Sequence, residues 1–243
     1  MGIQKGLAAI KAHKEEQDRR KEEGAKKVDW LTIPENKTYE IRFLQELDES
    51  GAGYVEANGL GFYATEHSNP DDFRKKAVCT AEDGECYGCQ QSRLAYAAGD
   101  KTRGGGWKAK SRLYINVLAR DEEGNETVSV MSQANGSKST VAPLVLEYAI
   151  DEGTVTDRWW KIKRTGKGSD TNYMPRVGQP KDDINPADYS EKVFDLKNCV
   201  REVPYEEQEA HYSVTAERPS DNGGTSEATA SVSAGKVDSS EEW

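Results

Sequence analysis

The sequence predicts a mainly β protein with short helices, in which one core domain carries a metal-stapled subdomain between a charged arm and an acidic tail. Three observations carry this. Short segments that alternate apolar with polar residues, rich in aromatic and β-branched side chains, recur from Trp30 to Arg176. One histidine and three cysteines crowd the stretch from His67 to Cys89, at a spacing that suits a tetrahedral metal ion. Both ends are polar, and only 35% of the 243 residues are hydrophobic against 31% charged, too few apolar side chains for every segment to enter a packed core.

Taken in order, residues 1–27 form a charged arm with a weak apolar stripe, Ile3, Leu7 and Ile10, at helical spacing, then a dense mixed-charge run closed by Gly24. The core follows over 28–203. Trp30–Ile33 and Tyr39–Leu44 read as strands around the turn Pro34-Glu35-Asn36, and Tyr54–Thr65, with Asn58-Gly59 inside it, as a strand pair leading into His67. Gln91–Ala98 can form a helix, which the glycine-rich run Gly99–Gly106 breaks. Trp107–Arg120 is the longest strand candidate, and Val128–Met131 a shorter one after the turn Glu122–Asn125. Ser139–Ile150 reads as a helix with Pro143 in its first turn, which proline tolerates. Arg158–Arg164 and Asn172–Arg176 resume the strand pattern, and Tyr189–Asn198 is a possible helix. From residue 204 to 243 the chain becomes an acidic tail, read as disordered from Ala216 to Ser240 and ending in Glu241-Glu242-Trp243.

The metal-ligand set is His67, Cys79, Cys86 and Cys89, within a subdomain at about 60–98. Cys86-Tyr87-Gly88-Cys89 places two thiols on one knuckle, and four protein ligands leave no open position for water, so one Zn2+ would be structural. The N-terminal stretch lacks the apolar core of a secretory signal, which argues against disulfides. The flanks of the CxxC do not resemble those of a thioredoxin-like redox site. The fourth ligand is His67 or Cys199, and His67 is preferred because closing a short loop costs less entropy.

No apolar run approaches the length of a membrane span, so no membrane partner is expected. A net charge of −10 argues against nucleic acid only on average. Residues Lys101 to Arg120 include six basic and no acidic residues, and Arg158-Trp159-Trp160-Lys161-Ile162-Lys163-Arg164 is a second basic strand. Cations interleaved with aromatic rings beside glycine-rich loops suit single-stranded nucleic acid, since phosphates need neutralising and unpaired bases offer faces to stack. The β portion shows neither a basic recognition helix for duplex nor a paired-carboxylate motif for catalysis, so an enzyme is not expected.

With these residues in place, the chain resembles the single-stranded DNA-binding, helix-destabilising protein of T-even-type bacteriophages. The likeness spans nearly the whole chain in order. It is most specific at His67, Cys79, Cys86 and Cys89 and at Lys108-Ala109-Lys110-Ser111-Arg112-Leu113-Tyr114-Ile115-Asn116-Val117-Leu118. The glutamate-rich arm departs from the family's short basic motif. The resemblance implies an OB-fold core with an inserted zinc subdomain and DNA in a basic cleft between them. It further implies self-association along DNA through the arm, replication or recombination proteins recruited by the tail, and the cytoplasm of an infected bacterium as the setting. On this reading Lys108, Lys110, Arg112, Lys161, Lys163, Arg164 and Arg176 contact phosphates. Trp107, Tyr114, one of Trp159 and Trp160, and Tyr173 stack bases. The alternative is a zinc-containing module that binds RNA or protein.

Overall fold

A computed structural model describes residues 28–135 and 141–213. It is a mainly antiparallel β structure with a few short helices. The strands are β1 (Thr38–Phe43), β2 (Phe62–Asn69), β3 (Asp72–Val78), β4 (Lys110–Arg120), β5 (Glu126–Ala134), β6 (Arg158–Thr165) and β7 (Asn172–Pro180). The helices are α1 (Tyr87–Ala97), α2 (Lys101–Trp107), α3 (Val141–Asp151) and α4 (Tyr205–Tyr212). The predicted arm, residues 1–27, lies outside the described residues, as does the chain from Val214 onward.

The sheet is organised by β4. Its outer neighbour along its whole length is β5, while on its other edge β2 pairs with the first half (Tyr114 opposite Phe62) and β1 with the second (Val117 opposite Phe43). The path runs β3-β2-β4-β1-β6-β7. Because side chains alternate along a strand, Leu113, Ile115, Val117 and Ala119 all face one way. With Ile41, Phe43, Met131, Trp160 and Ile162 they form the core, which α3 closes with Val141, Ala142 and Val145. Burying each of the large apolar side chains contributes roughly 1.5–3 kcal/mol.

The alternate residues of β4, from Lys110 through Arg112, Tyr114, Asn116 and Leu118 to Arg120, face the other way. The middle of this outer face is covered by a polar strap, residues 182–203, whose Leu196 packs with Ala64, Tyr114 and Val130. Asn116 fastens it. The Asn116 amide, itself fully buried, donates to the Phe194 carbonyl at 2.9 Å, and its Oδ1 accepts from the Phe194 N–H at 3.0 Å. Buried Glu46 holds the loop before β6 in the same manner, accepting from both threonine hydroxyls and the Val155 N–H in Thr154-Val155-Thr156.

Several expected elements change. Trp30–Ile33 is not a full strand but a single bridge beside β5, where the Leu31 N–H donates to the Val130 carbonyl and the Val130 N–H to that of Asp29. Residues 54–65 are no strand pair. Glu56–Asn58 is one 3-10 turn, Gly59 adopts φ 66°, and only Phe62 onward is strand. Gly99, at φ 83°, ends α1 as expected, but the rest of the glycine run does not stay irregular: it lies in α2, capped by Asp100, which accepts from the Arg103 N–H. Gly104 and Gly106 are required there by close approach, since a Cβ would sit 2.7 Å from the Tyr96 ring and from Pro70 respectively. Consequently Trp107 belongs to α2 and β4 begins at Lys110. The possible helix at 189–198 resolves into two 3-10 turns, Pro186–Tyr189 and Leu196–Cys199. The first residues assigned to the tail form α4, with Gln208 and Tyr212 buried.

Asn116→Ala would leave the part-buried Phe194 N–H and C=O without these partners, a cost of about 1–3 kcal/mol. Urea titration should show a lower midpoint with an unchanged slope.

Candidate metal centre and cationic cleft

Successive residues of β2 serve the two features of this region, because neighbours on a strand point to opposite faces. His67 faces the cysteines, and Glu66 faces the outer cleft.

The loop after β3 brings Cys79, the residue capping α1 brings Cys86, and the first turn of α1 brings Cys89. Together with His67 their ligand atoms all lie within 4.8 Å of one another. Cys79 Sγ is 3.8 Å from Cys86 Sγ and 3.7 Å from Cys89 Sγ, and Cys89 Sγ is 3.4 Å from His67 Nε2. These are not disulfide lengths, which are near 2.05 Å. Tetrahedral bonds of about 2.3 Å to sulfur and 2.0–2.1 Å to nitrogen would put sulfurs about 3.8 Å apart and nitrogen about 3.5 Å from sulfur, so the donor set fits a metal ion. Cys199 plays no part; its thiol is half-buried in the wall of the cleft, and burial pushes it up to about 11.

The supporting contacts orient the ligands. His67 Nδ1 lies 2.6 Å from the Trp107 carbonyl, so Nδ1–H donates and Nε2 is left with its lone pair toward the sulfurs. Gly88 is obligatory, because a Cβ there would stand 2.3 Å from the imidazole Cγ. Burial lowers the His67 pKa, which keeps the ring in the neutral form a metal needs. Burial likewise raises Cys89 to about 12, with the neighbouring thiols adding to it, and raises Cys79, whereas at Cys86 burial is outweighed by hydrogen bonds that lower its pKa; a cation among the sulfurs would favour the thiolate form of all three. Helix α4 closes the back of the cluster. Gln208 accepts from the Tyr87 N–H and donates to Thr80 Oγ1 and the Val203 carbonyl, while Tyr212 stacks on Tyr87 and meets the edge of Trp107.

The outer face of β2, β3 and β4 opens into a cleft of about 670 Å³. Arg74 and Lys76 from β3, Arg112 from β4, Arg201 from the strap and His211 from α4 line it, with Glu66 and Tyr114 as its floor. Lys110 stands opposite Glu66 at the end of β4. Charges of one sign are crowded here: burial and then the Arg112 and Lys110 charges lower the Lys76 pKa. Two large rings stand in solvent at the rim, Trp30 at 44% and Phe73 at 73% exposure.

The residues expected to bind nucleic acid separate into two sets and lose three aromatics. Trp107 is buried against Ala77, Val203 and Tyr212, and Trp160 is wholly inside the core between Phe43 and Tyr148. Tyr114 is buried with its hydroxyl donating to Glu66 at 2.6 Å. None of the three presents a free face to a base. Lys110 and Arg112 belong to the cleft region, where Arg112 approaches Glu66 at 3.8 Å, whereas Lys108 is exposed at the cap of α2.

Trp159, Lys161, Lys163 and Arg176 lie at the far end of the same sheet face, since Lys161 is opposite Glu40 and Arg176, and Glu40 is opposite Arg120. From Lys110 to Arg120 the strand covers roughly 33 Å. Much of that far surface is neutralised or occupied. Lys161 pairs with Glu40, and Arg120 lies 4.2 Å over the Trp159 ring, whose N–H donates to Asp183. Arg164 is turned inward to the Ile33 carbonyl, and Tyr173 packs half-buried against the core. Sequence reasoning missed Phe73-Arg74-Lys75-Lys76, Trp30 and Arg201. The run of three cations beside Phe73 was visible, but lay hidden between ligands already assigned to the metal.

Comparison of the chain with family models, curated proteins and solved structures finds no match. Among the described residues no helix is long and apolar enough to cross a membrane.

Metal analysis of the purified protein should give one equivalent of ion per chain. Gly88→Ala should lose it, and Cys199→Ser should keep it; retention in the first or loss in the second would refute this ligand geometry.

Proposed function

We propose that the protein binds single-stranded DNA without sequence preference and coats it during phage DNA replication, recombination and repair, with one Zn2+ holding its subdomain. The observation that carries this reading is the cleft: five cationic or titratable side chains, Arg74, Lys76, Arg112, Arg201 and His211, surround a floor flanked by the exposed rings of Trp30 and Phe73. Phosphates are neutralised by the cations, and bases stack on the rings at about 1–3 kcal/mol each. The contact set thereby becomes Arg74, Lys76, Lys108, Lys110, Arg112 and Arg201 for phosphates, with Trp30 and Phe73 for bases. Lys161, Lys163 and Arg176 extend the track for flanking nucleotides.

The topology supports an OB-fold core. Without the inserted run from β2 to α2, five strands remain, β1, β4, β5, β6 and β7, with α3 between the third and fourth and β1 paired to both the second and fourth. On this reading the five strands belong to the OB class, whose strand face binds oligonucleotides. Zinc is the ion that three thiolates and one imidazole in tetrahedral array favour, and it confers no catalytic position when all four ligands are protein. The protein acts by binding alone, in the host cytoplasm. Along DNA, where neighbouring copies are held close together, its arm serves self-association, and its acidic tail meets replication or recombination proteins.

A gel-shift panel of oligo-dT, RNA of equal length and duplex, with a nuclease assay on the same samples, tests this directly. Oligo-dT should bind best and without cleavage, and affinity should fall steeply with salt. Lys76→Ala and Arg112→Ala should each reduce the salt slope by about 0.7, and Phe73→Ala should cost about 1–3 kcal/mol at any salt. Salt-independent binding would refute the phosphate assignment, and preference for RNA would move the protein to the alternative class.

Tail carboxylates compete with DNA for the same cations on this reading. Removing residues 220–243 should therefore tighten binding at low salt, and an unchanged affinity would refute the competition.

A further inference from the structure

The cleft leaves one surface unused. Helix α3 buries Val141, Ala142 and Val145 in the core, yet its opposite side is also apolar: Pro143, Leu146 and Ile150 are exposed, Ile150 at 73%. Positions i, i+3 and i+7 lie along one stripe of a helix. Glu147 and Asp151, both exposed, run beside that stripe, and Glu152 follows at its end. An isolated exposed leucine needs no explanation, but an apolar stripe edged by one sign of charge does.

The first 14 residues of the chain carry the complement. Ile3, Leu7 and Ile10 repeat at i, i+4 and i+7 in the sequence, which read in reverse is the spacing of the α3 stripe, so the two patterns match when the segments run antiparallel. Lys5, Lys11 and Lys14 are the charged residues of this stretch, and it has no acidic ones. The described chain starts at Val28 alongside β5, the strand against which α3 also rests. Residues 15–27 leave a tether whose root-mean-square reach is roughly 20 Å.

We propose that residues 1–14 dock antiparallel on the Pro143, Leu146 and Ile150 stripe of α3 within the same chain. Three apolar contacts and a few exposed ion pairs make a weak interface, with Kd on the order of 0.1 mM. Such an interface fails between separate molecules at micromolar concentration. A short tether supplies an effective concentration near 1 mM, so about nine in ten chains are docked. This inference does not depend on the nucleic-acid reading, and its test contains no DNA.

The full-length protein is digested with trypsin under native conditions, and cleavage after Lys11 and Lys14 is followed by mass spectrometry at several protein concentrations. Docking predicts slow cleavage, independent of concentration, that accelerates about tenfold in Ile150→Glu, a change on the exposed side that leaves the arm's sequence intact. Glu147→Lys with Asp151→Lys should accelerate it too, and Lys11→Glu with Lys14→Glu, followed by a protease cutting after glutamate, should restore protection in that background. Equal cleavage in wild type and Ile150→Glu overturns the proposal. Protection that grows with concentration also overturns it, by assigning the stripe to a neighbouring copy.

Discussion

The alternation of side chains along β4 governs the molecule. One set, Leu113 to Ala119, must be dry, because it is the centre of the core. The intervening set is therefore turned outward along the full strand, whatever its chemistry. Along that outward line the chain uses three solutions: cations at Lys110 and Arg112, a satisfied amide at Asn116 under the strap, and a stacked guanidinium at Arg120. A single strand thus sets where the cleft begins, where the strap attaches and how far the second basic surface lies from the first.

The metal cluster and the cleft share a wall. β3 ends one residue before Cys79, and the Val78 N–H donates to the Arg201 carbonyl, tying the strap to that edge. His211 of α4 lies 2.9 Å from the Lys76 carbonyl, and Gln208 in the same helix is bonded to the knuckle at Tyr87 and Thr80. Whatever holds the four ligand atoms together also fixes the spacing of Arg74, Lys76 and Arg201. A metal ion bound among the four ligand atoms would therefore be a structural part of the cleft even though it never faces it.

The strand pattern and the metal ligands were legible because each rests on local chemistry. Alternation marks β1 and β6 within one residue of their ends and β4 at its C-terminal end, and Cys-x-x-Cys with a nearby histidine needs no tertiary knowledge. What escaped was decided by contacts distant in sequence. β3, Asp-Phe-Arg-Lys-Lys-Ala-Val, has no apolar alternation and is a strand only because β2 pairs with it. The glycines of α2 carry poor helix propensity, outweighed by close contact with Tyr96 and Pro70. Trp107, Tyr114 and Trp160 look alike in sequence to exposed rings, and only three-dimensional burial distinguishes them from Trp30 and Phe73.

The crowding of like charges around Lys76 has a consequence for the molecule as a whole. Each positive group there raises the cost of its neighbours, so the unfilled cleft works against the fold that creates it. Dissolved salt weakens this self-repulsion and so favours the folded chain, while the same ions weaken attraction for any polyanion. Around Lys76, then, one and the same change in ionic strength would relieve the repulsion within the cleft and weaken the pull that the cleft exerts on a negative charge outside it.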